Sequence, residues 1–477
     1  MLDFARKRTK IVATIGPASR DPHILRALVV GGANVMRLNF SHGTHDEHGR
    51  TIDDIRMVAA DLGVHVAVLQ DLPGPKVRTG SLAGQRESVH LERGADFDLV
   101  TQQVPGTERE VSVSYTGLPQ DVEEGKRIYL ADGAIALRVT GTSLDRITTV
   151  VEVGGELRGT QGINYPDGSL ALDAVTDRDF EHLAFGLEKG VDAVAVSFVR
   201  TAHDVEKVQR YIAERGRRIP VIAKIEKHEA LDRIDEIIDT ADAIMVARGD
   251  LGIEIPLEAV PLVQKDLIAR ANRVSKPVIT ATQLLESMIS SPRPTRAETS
   301  DVANAIVDGT DAVMLSGETA RGRYPVEAVR FMATIAEQVE RTYPHDELAG
   351  RRIGFAPLQP ASAIAAAAAR VTEELGLTLI VTGTTTGNTA MHIASFRPRA
   401  RIVAMTPLAE VARSLAFVWG VETLVVEKYR YFESLIDIVE ARVLREGLAK
   451  SGDTIVITSG MPVGEGGTNV LKIHELP

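Results

Sequence analysis

Hydrophobic positions along this chain fall into short, nearly continuous runs rich in β-branched residues, separated by amphipathic stretches. The runs are KIVATIG (10–16), NVMRLNF (34–40), VAVLQDL (66–72), DAVAVSF (192–198), PVIAKIE (220–226), AIMVARGD (243–250), PVITATQ (277–283) and DAVMLSGE (311–318). Stretches with helical spacing lie between most of them, HILRALVVGG and AHDVEKVQRYIAERG being clear cases. A strand apolar on both faces belongs in a parallel sheet covered on both sides. About eight such units predict a closed (β/α)8 TIM barrel.

The rhythm breaks once, after DLPGPK. The next hundred or so residues lack helical periodicity, and VSVSYTGLP, GKRIYLADGAIALRV and RITTVVEV read as strands joined by turns. Residues 75–170 are therefore expected to form a small β domain inserted after the third barrel strand, with 1–74 and 171–343 forming the barrel. Insertion there puts this domain over the catalytic face, where it can serve as a lid. A polar, Pro-containing link around TYPHDELAGRRIGFAPLQP then leads to a second α/β unit over 344–477. Within that unit ASAIAAAAARVTEELG, EVARSLAFVWG and FESLIDIVEARVLREG are predicted helices, and LTLIVTG, VETLVVE and DTIVITSG strands.

Composition narrows the class. A chain of 477 residues with net charge -11 offers no general nucleic-acid surface. The absence of cysteine removes thiolate metal sites and Cys nucleophiles. The basic start enters a strand-like run, not an apolar signal core, and no segment approaches the roughly 18 apolar residues of a membrane span. A cytoplasmic enzyme, with no membrane partner, is the expectation.

The polar residues are placed more tellingly. Almost every run ends in side chains capable of chemistry: Asn39 and Ser41, Asp71, Ser197, Lys224 and Glu226, Asp250, Thr280 and Thr282, Ser316 and Glu318. C-terminal strand ends converge on the catalytic face of such barrels. Lys224 and Glu226, two apart on a strand, project to one side. Alone they could be a structural ion pair. Asp250, at the end of the neighbouring strand, adds a second carboxylate, and two carboxylates plus substrate oxygens suit Mg2+, with Mn2+ able to substitute. Gly249 and Gly252 let the backbone of ARGDLG approach an anion at a helix start. Arg37 suits bidentate phosphate recognition, and Asn39 with Ser41 offers oxygens to a cation. Thr282 could relay a proton or merely finish its strand, and His42 on its own reads as a structural histidine.

The segments RLNFSHG, DLPGPKVRTG, AKIEKHE, MVARGDLGIEIP, TATQLLESM, SPRPTRAETSDVANAIVDGTDAVMLSGETA and SFRPRARIVA resemble, in order and over nearly the whole chain, the motifs of the pyruvate kinase family. The resemblance implies a barrel, an inserted β lid and a C-terminal α/β domain, assembled as a homotetramer. It implies phosphoryl transfer from phosphoenolpyruvate to ADP, giving pyruvate and ATP. Lys224 would neutralise the moving phosphoryl group and the enolate, and Glu226 and Asp250 would ligate Mg2+. Arg37 would hold phosphate, and the Gly249–Asp250 backbone the substrate carboxylate. Thr282 would serve proton delivery, and Arg78, with Asn39 and His42, would lie on the nucleotide side.

Some positions depart from the family pattern. Most members bind a monovalent cation with Asn, Ser, Asp and a threonine carbonyl, here Asn39, Ser41, Asp71 and Leu72, beside a glutamate. Lys76 stands in place of that glutamate. An ammonium on a flexible stem can occupy the place of potassium, so K+ is expected not to be required. Pro73 sits at the hinge of the lid, Gly159-Thr160-Gln161-Gly162 replaces a basic lid segment, and Arg178 stands where a lysine is usual. Thr384, Thr385, Thr386, Gly387, Asn388 and Thr389 match the family's effector loop, where hydroxyls and N–H groups at a helix start cradle phosphate. Asn388 in place of a frequent arginine favours a singly phosphorylated sugar, or AMP, as the effector. Two rival readings stand beside this one: another Mg2+ barrel enzyme of phosphoenolpyruvate or enolate chemistry, and a non-catalytic metabolite sensor.

Overall fold

The computed structural model describes residues 7–343, 345, 359–461 and 467–477. Most of the expected polar link after Tyr343, and the first six residues, lie outside them. Eight parallel strands close into a barrel: Lys10–Thr14, Val35–Asn39, Ala67–Asp71, Ala193–Val196, Val221–Ile225, Ala243–Ala247, Val278–Ala281 and Ala312–Leu315. Each lies inside a run picked out by its hydrophobicity. The interior is filled by Val12, Val35, Leu69, Ala195, Ile222, Met245, Ile279 and Met314, so the barrel is a packed core rather than a channel. Outward-facing residues of the same strands pack with the surrounding helices in a second, larger core.

Helix ends follow their sequence signals. The helices His45–Leu62, Asp177–Lys189 and Arg296–Asp308 each begin with a Thr capping box, from Thr44, Thr176 and Thr295, and each ends at a left-handed glycine.

Between the third and fourth barrel strands lies a mainly β insertion, with one short α-helix over Leu118–Asp121. Its six-stranded sheet runs in the order Ile163–Asn164, Arg127–Leu130, Ile135–Thr142, Arg146–Val153, Asp96–Val100, Glu110–Ser112, and Ser88–Leu91 pairs separately with Gly155–Arg158. Phe97, Leu99, Ile128, Leu137, Ile147 and Tyr165 form its own core.

The last unit is a five-stranded sheet ordered Val421–Val425, Arg401–Thr406, Leu379–Gly383, Thr454–Gly460, Thr468–Glu475, with only the final strand antiparallel. The segment expected as one helix, EVARSLAFVWG, divides into a helix over Ala409–Ser414 and a 3-10 turn over Leu415–Phe417. Tertiary burial explains the break: Ala416 and Phe417 join the barrel-interior cluster, closing its N-terminal end. Arg397 and the backbone N–H of Trp419 also reach the buried Asp311, at 2.9 and 3.1 Å, tying the two units together. With that end plugged, the open end is the one where the strands finish. A separate cleft of about 1130 Å³, lined by Lys7, Arg8, Asn34, Arg401 and Glu422 among others, lies between the barrel floor and the C-terminal unit; no signal along the sequence pointed to it.

Candidate active site

At the open end, strand geometry brings the polar residues together. Lys224 and Glu226 flank the end of the fifth strand, and Lys224 Nζ lies 2.8 Å from Glu226 Oε1. The ammonium also donates to Asp71 Oδ1 at 3.2 Å and to Ser197 Oγ at 2.7 Å, joining the ends of the third, fourth and fifth strands. Arg37 donates to the other Asp71 oxygen at 2.7 Å and to Thr14 Oγ1 at 2.9 Å. Asp71 is thus the hub that places two cations side by side.

The electrostatics follow from burial and pairing. Burial opposes the Asp71 charge, but Arg37 and Lys224 more than offset it and hold the carboxyl below its ordinary value. Burial likewise opposes charge on Lys224, and Asp71 and Glu226 hold that ammonium above the usual lysine value. Glu226 is different. Burial pushes its carboxyl up, Lys224 pulls it down, Asp250 adds to the rise, and the net shift is upward. Its second oxygen takes the Phe198 N–H at 2.8 Å. A buried carboxylate raised in this way beside a second carboxylate is short of positive charge, which a divalent cation would supply. Glu226 and Asp250 therefore fit Mg2+. A neighbouring group, His228, Glu229 and Glu254, also converges within 4.8 Å. There the two Glu254 oxygens are already taken by Lys227 at 2.8 Å and His228 at 3.1 Å, as in a structural ion-pair cluster.

Asp250 lies in the short helix Arg248–Glu254, which starts where the sixth strand stops. The Gly249 N–H donates to Thr282 Oγ1 at 2.8 Å, and that hydroxyl donates to Ala281 O at 2.7 Å. Thr282 and Gln283 have φ of 66° and 54°, a conformation a β-branched threonine adopts only under constraint. Arg248 supplies the constraint. Its guanidinium binds the carbonyls of Thr282 and Gln283 at 2.8 and 3.1 Å and is itself anchored on Asp301 at 2.7 Å. Nothing in the ARGDLG pattern singles out Arg248, because backbone strain leaves no mark in a sequence.

The remaining positions separate into groups. His42 sits among cations: burial first, then Lys76, Arg78 and Arg37, push its imidazole below the ordinary value. The Arg78 N–H donates to Ser114 Oγ, and Arg78 bridges to Gly162 of the GTQG segment, while Arg178 is exposed. Of the four expected monovalent-cation ligands, Asn39 Oδ1 accepts the Ser41 N–H at 3.0 Å and the Leu72 carbonyl accepts the Ser197 hydroxyl at 2.7 Å. Both Asp71 oxygens are engaged as above. Lys76 is exposed on the lid hinge, and its ammonium forms no ion pair with another described residue. Thr384–Thr389 lie far along the chain in the C-terminal unit, where Gly387 N–H donates to Thr384 Oγ1 at 2.8 Å and Asn388 N–H to Thr386 Oγ1 at 3.4 Å, opening the helix Asn388–Ser395.

Comparison with known proteins identifies the family of the chain. Residues 6–329 match the pyruvate kinase barrel-domain family and residues 362–474 the pyruvate kinase alpha/beta-domain family. The chain is 45% identical to pyruvate kinase 2 of Synechocystis sp. over 98% of its own length and 79% of that protein's. It is 45% identical to the pyruvate kinase of Geobacillus stearothermophilus, over 98% and 80%. A crystal structure of a pyruvate kinase from Cryptosporidium parvum superposes with a TM-score of 0.93 at 37% identity, covering 99% of this chain and 96% of that one. An enzyme with this barrel, this insertion and this C-terminal unit, similar to pyruvate kinases along nearly all of its length, belongs to the pyruvate kinase family of phosphotransferases.

Proposed function

We propose that this enzyme transfers the phosphoryl group of phosphoenolpyruvate to ADP with Mg2+ on Glu226 and Asp250, needs no K+, and catalyses the last step of glycolysis in the cytoplasm. The observation that carries this reading is the buried Lys224 ammonium between Asp71 and Glu226, with Arg37 beside it. Two fixed cations at the open end of a barrel stabilise the charge spread over a transferring phosphoryl group, where positioning and electrostatics do most of the catalysis. An ADP oxygen attacks phosphorus, the bond to the enol oxygen breaks, and the resulting enolate takes a proton at its terminal carbon. A bound Mg2+ would supply further charge to the phosphoryl and enolate oxygens.

The Gly249 N–H is paired with the Thr282 hydroxyl. A substrate carboxylate accepting that N–H would take the place of Thr282 Oγ1, and the hydroxyl would then exchange its bond to the Ala281 carbonyl for the enolate and deliver the proton. Arg78, Asn39 and His42 would face the nucleotide, and the charge His42 feels from Arg78 and Lys76 supports their nearness.

Independence from K+ rests on the engagement of Asn39, Asp71 and the Leu72 carbonyl, and on an unpaired Lys76 at the hinge. The domain boundaries at 74/75, 170/171 and 343/344 and a homotetrameric assembly belong to the same reading, as does a singly phosphorylated sugar or AMP at Thr384–Thr389. Among the described residues no helix is long and apolar enough to cross a membrane. Assay of pyruvate formation from phosphoenolpyruvate and ADP, with and without Mg2+, tests the reaction. Turnover that persists after complete removal of divalent ions would contradict the metal assignment.

A further inference from the structure

The lid is joined to the barrel by two strands of chain, and both meet the loop Ser197–Arg200 that ends the fourth barrel strand. On the outgoing side, the Ser197 hydroxyl, which accepts from Lys224, donates to the Leu72 carbonyl. The Phe198 ring packs against Gly74, whose φ is +64° and where an added Cβ would come within 2.8 Å of the ring. On the returning side, the Arg200 guanidinium donates to the Leu170 carbonyl at 2.8 Å and makes a second, shorter contact to the Leu172 carbonyl. The intervening Ala171 N–H points the other way and donates to Asp121 of the lid at 2.8 Å. Alternation is what extended backbone requires: carbonyls two residues apart share a side, and the amide between them faces the opposite one.

The side chains of Leu170 and Leu172 pack on the lid core while their carbonyls are gripped from the barrel. On the returning side, the strand that carries Leu170 and Leu172 is thus tied to the fourth-strand loop through the Arg200 guanidinium. Its backbone is fixed in turn, since the N–H groups of Arg200 and Thr201 both donate to Asp204 Oδ2 at 3.0 Å. Phe198, two residues before Arg200, has φ of 55° and holds Glu226 through its N–H. A single loop thus touches Lys224, Glu226 and both hinge strands.

We infer that Arg200 is a positioning residue that sets the closure of the lid over the reacting groups, coupling the returning hinge strand to the loop that holds Lys224 and Glu226. The inference rests on phosphoryl transfer at the barrel mouth. The contacts of Arg200 are to the Leu170 and Leu172 carbonyls, and it acts through them. Arg is suited to this because its planar fork meets two acceptors at once, whereas the lysine ammonium holds one with less geometric constraint.

The test uses the whole 477-residue chain, whose lack of cysteine allows site-specific labelling without removing native thiols. Leu144 on the lid and Met57 on the barrel are both well exposed, so Leu144→Cys with Met57→Cys can carry a donor–acceptor pair. Labelled chains are diluted in excess unlabelled chain so that the signal reports distances within one chain. The unsubstituted labelled enzyme must turn over, which checks the underlying reaction separately.

In Arg200→Met, kcat is expected to fall about tenfold and the KM for ADP to rise severalfold, with the label distance on adding Mg2+ and phosphoenolpyruvate changing less than in the parent. Arg200→Lys should lie between the two. A purely structural role would lower thermal stability and the active fraction while leaving KM and the distance response of the folded enzyme as in the parent. An active parent alongside Arg200→Met and Arg200→Lys with unchanged kcat, KM and distance response would overturn the inference.

Discussion

Replacing Lys224 by methionine tests the catalytic reading most severely among single substitutions. The change keeps the length of the stem and removes the charge that lies 2.8 Å from Glu226 and 3.2 Å from Asp71. Two consequences follow. Losing a preorganised cation from a water-poor site removes about 3–4 kcal/mol of transition-state stabilisation, or a fall in kcat of about 100- to 1000-fold. Stability should also drop, because Asp71 and Glu226 lose a partner while remaining buried, and breaking a buried pair costs about 3–5 kcal/mol. Arg37 still holds Asp71 and the Phe198 N–H still holds Glu226, so the loss should fall at the low end of that range. Steady-state kinetics at saturating substrates, normalised to folded protein by calorimetry or circular dichroism, separates the two effects. Lys224→Met retaining more than a tenth of parental kcat per folded site would refute the reasoning.

Arg248→Gln should release the strained turn at Thr282 and lower kcat about tenfold, with little change in the KM for phosphoenolpyruvate, as measured by steady-state kinetics. Lys76→Glu should create a dependence on K+, with activity weak in K+-free buffer and restored by added KCl; equal activity in both buffers would remove Lys76 from the account. Lys10 is buried, donates to the Val421 carbonyl at 2.7 Å and has its ammonium pushed down to about 8, by burial above all. The unfolded chain holds that proton up to about pH 10.4, so between about 8 and 10 it binds more protons at this site than the folded one does, and this group's contribution to stability rises with pH. Lys10→Met should therefore remove an upward component from the dependence of Tm on pH over that interval. Asp311→Ala, leaving Arg397 buried without its carboxylate, should cost about 3–5 kcal/mol by denaturant titration, with the fluorescence of Trp419, the only tryptophan, reporting on the same contact.

Much of the catalytic face could be read from the sequence because barrel geometry is local and periodic. Each strand announces itself by a hydrophobic run, and the polar residue that follows must emerge at the same end as its counterparts. Lys224 and Glu226 share a side simply because they are two apart. Asp71 was legible as a polar strand end but not as the partner of Arg37 and Lys224, since those contacts span 34 and 153 positions. Arg248 and Arg200 were missed for a related reason: both act on carbonyls, and any residue can offer a carbonyl. The helix expected over EVARSLAFVWG was divided by the burial of Phe417 in the barrel floor, a contact between units that no local pattern encodes. The cleft beneath the barrel exists only once the C-terminal unit has docked.

The central claim is that this chain carries phosphoryl transfer from phosphoenolpyruvate to ADP on Lys224, Glu226 and Asp250 without a monovalent cation. The most direct measurement is pyruvate formation with Mg2+ in buffer free of Na+ and K+, compared with the same buffer containing added K+. Equal activity in the two is the predicted result. Activity that appears only with K+ would contradict the account of the cation site, and the absence of pyruvate in both would contradict the reaction itself.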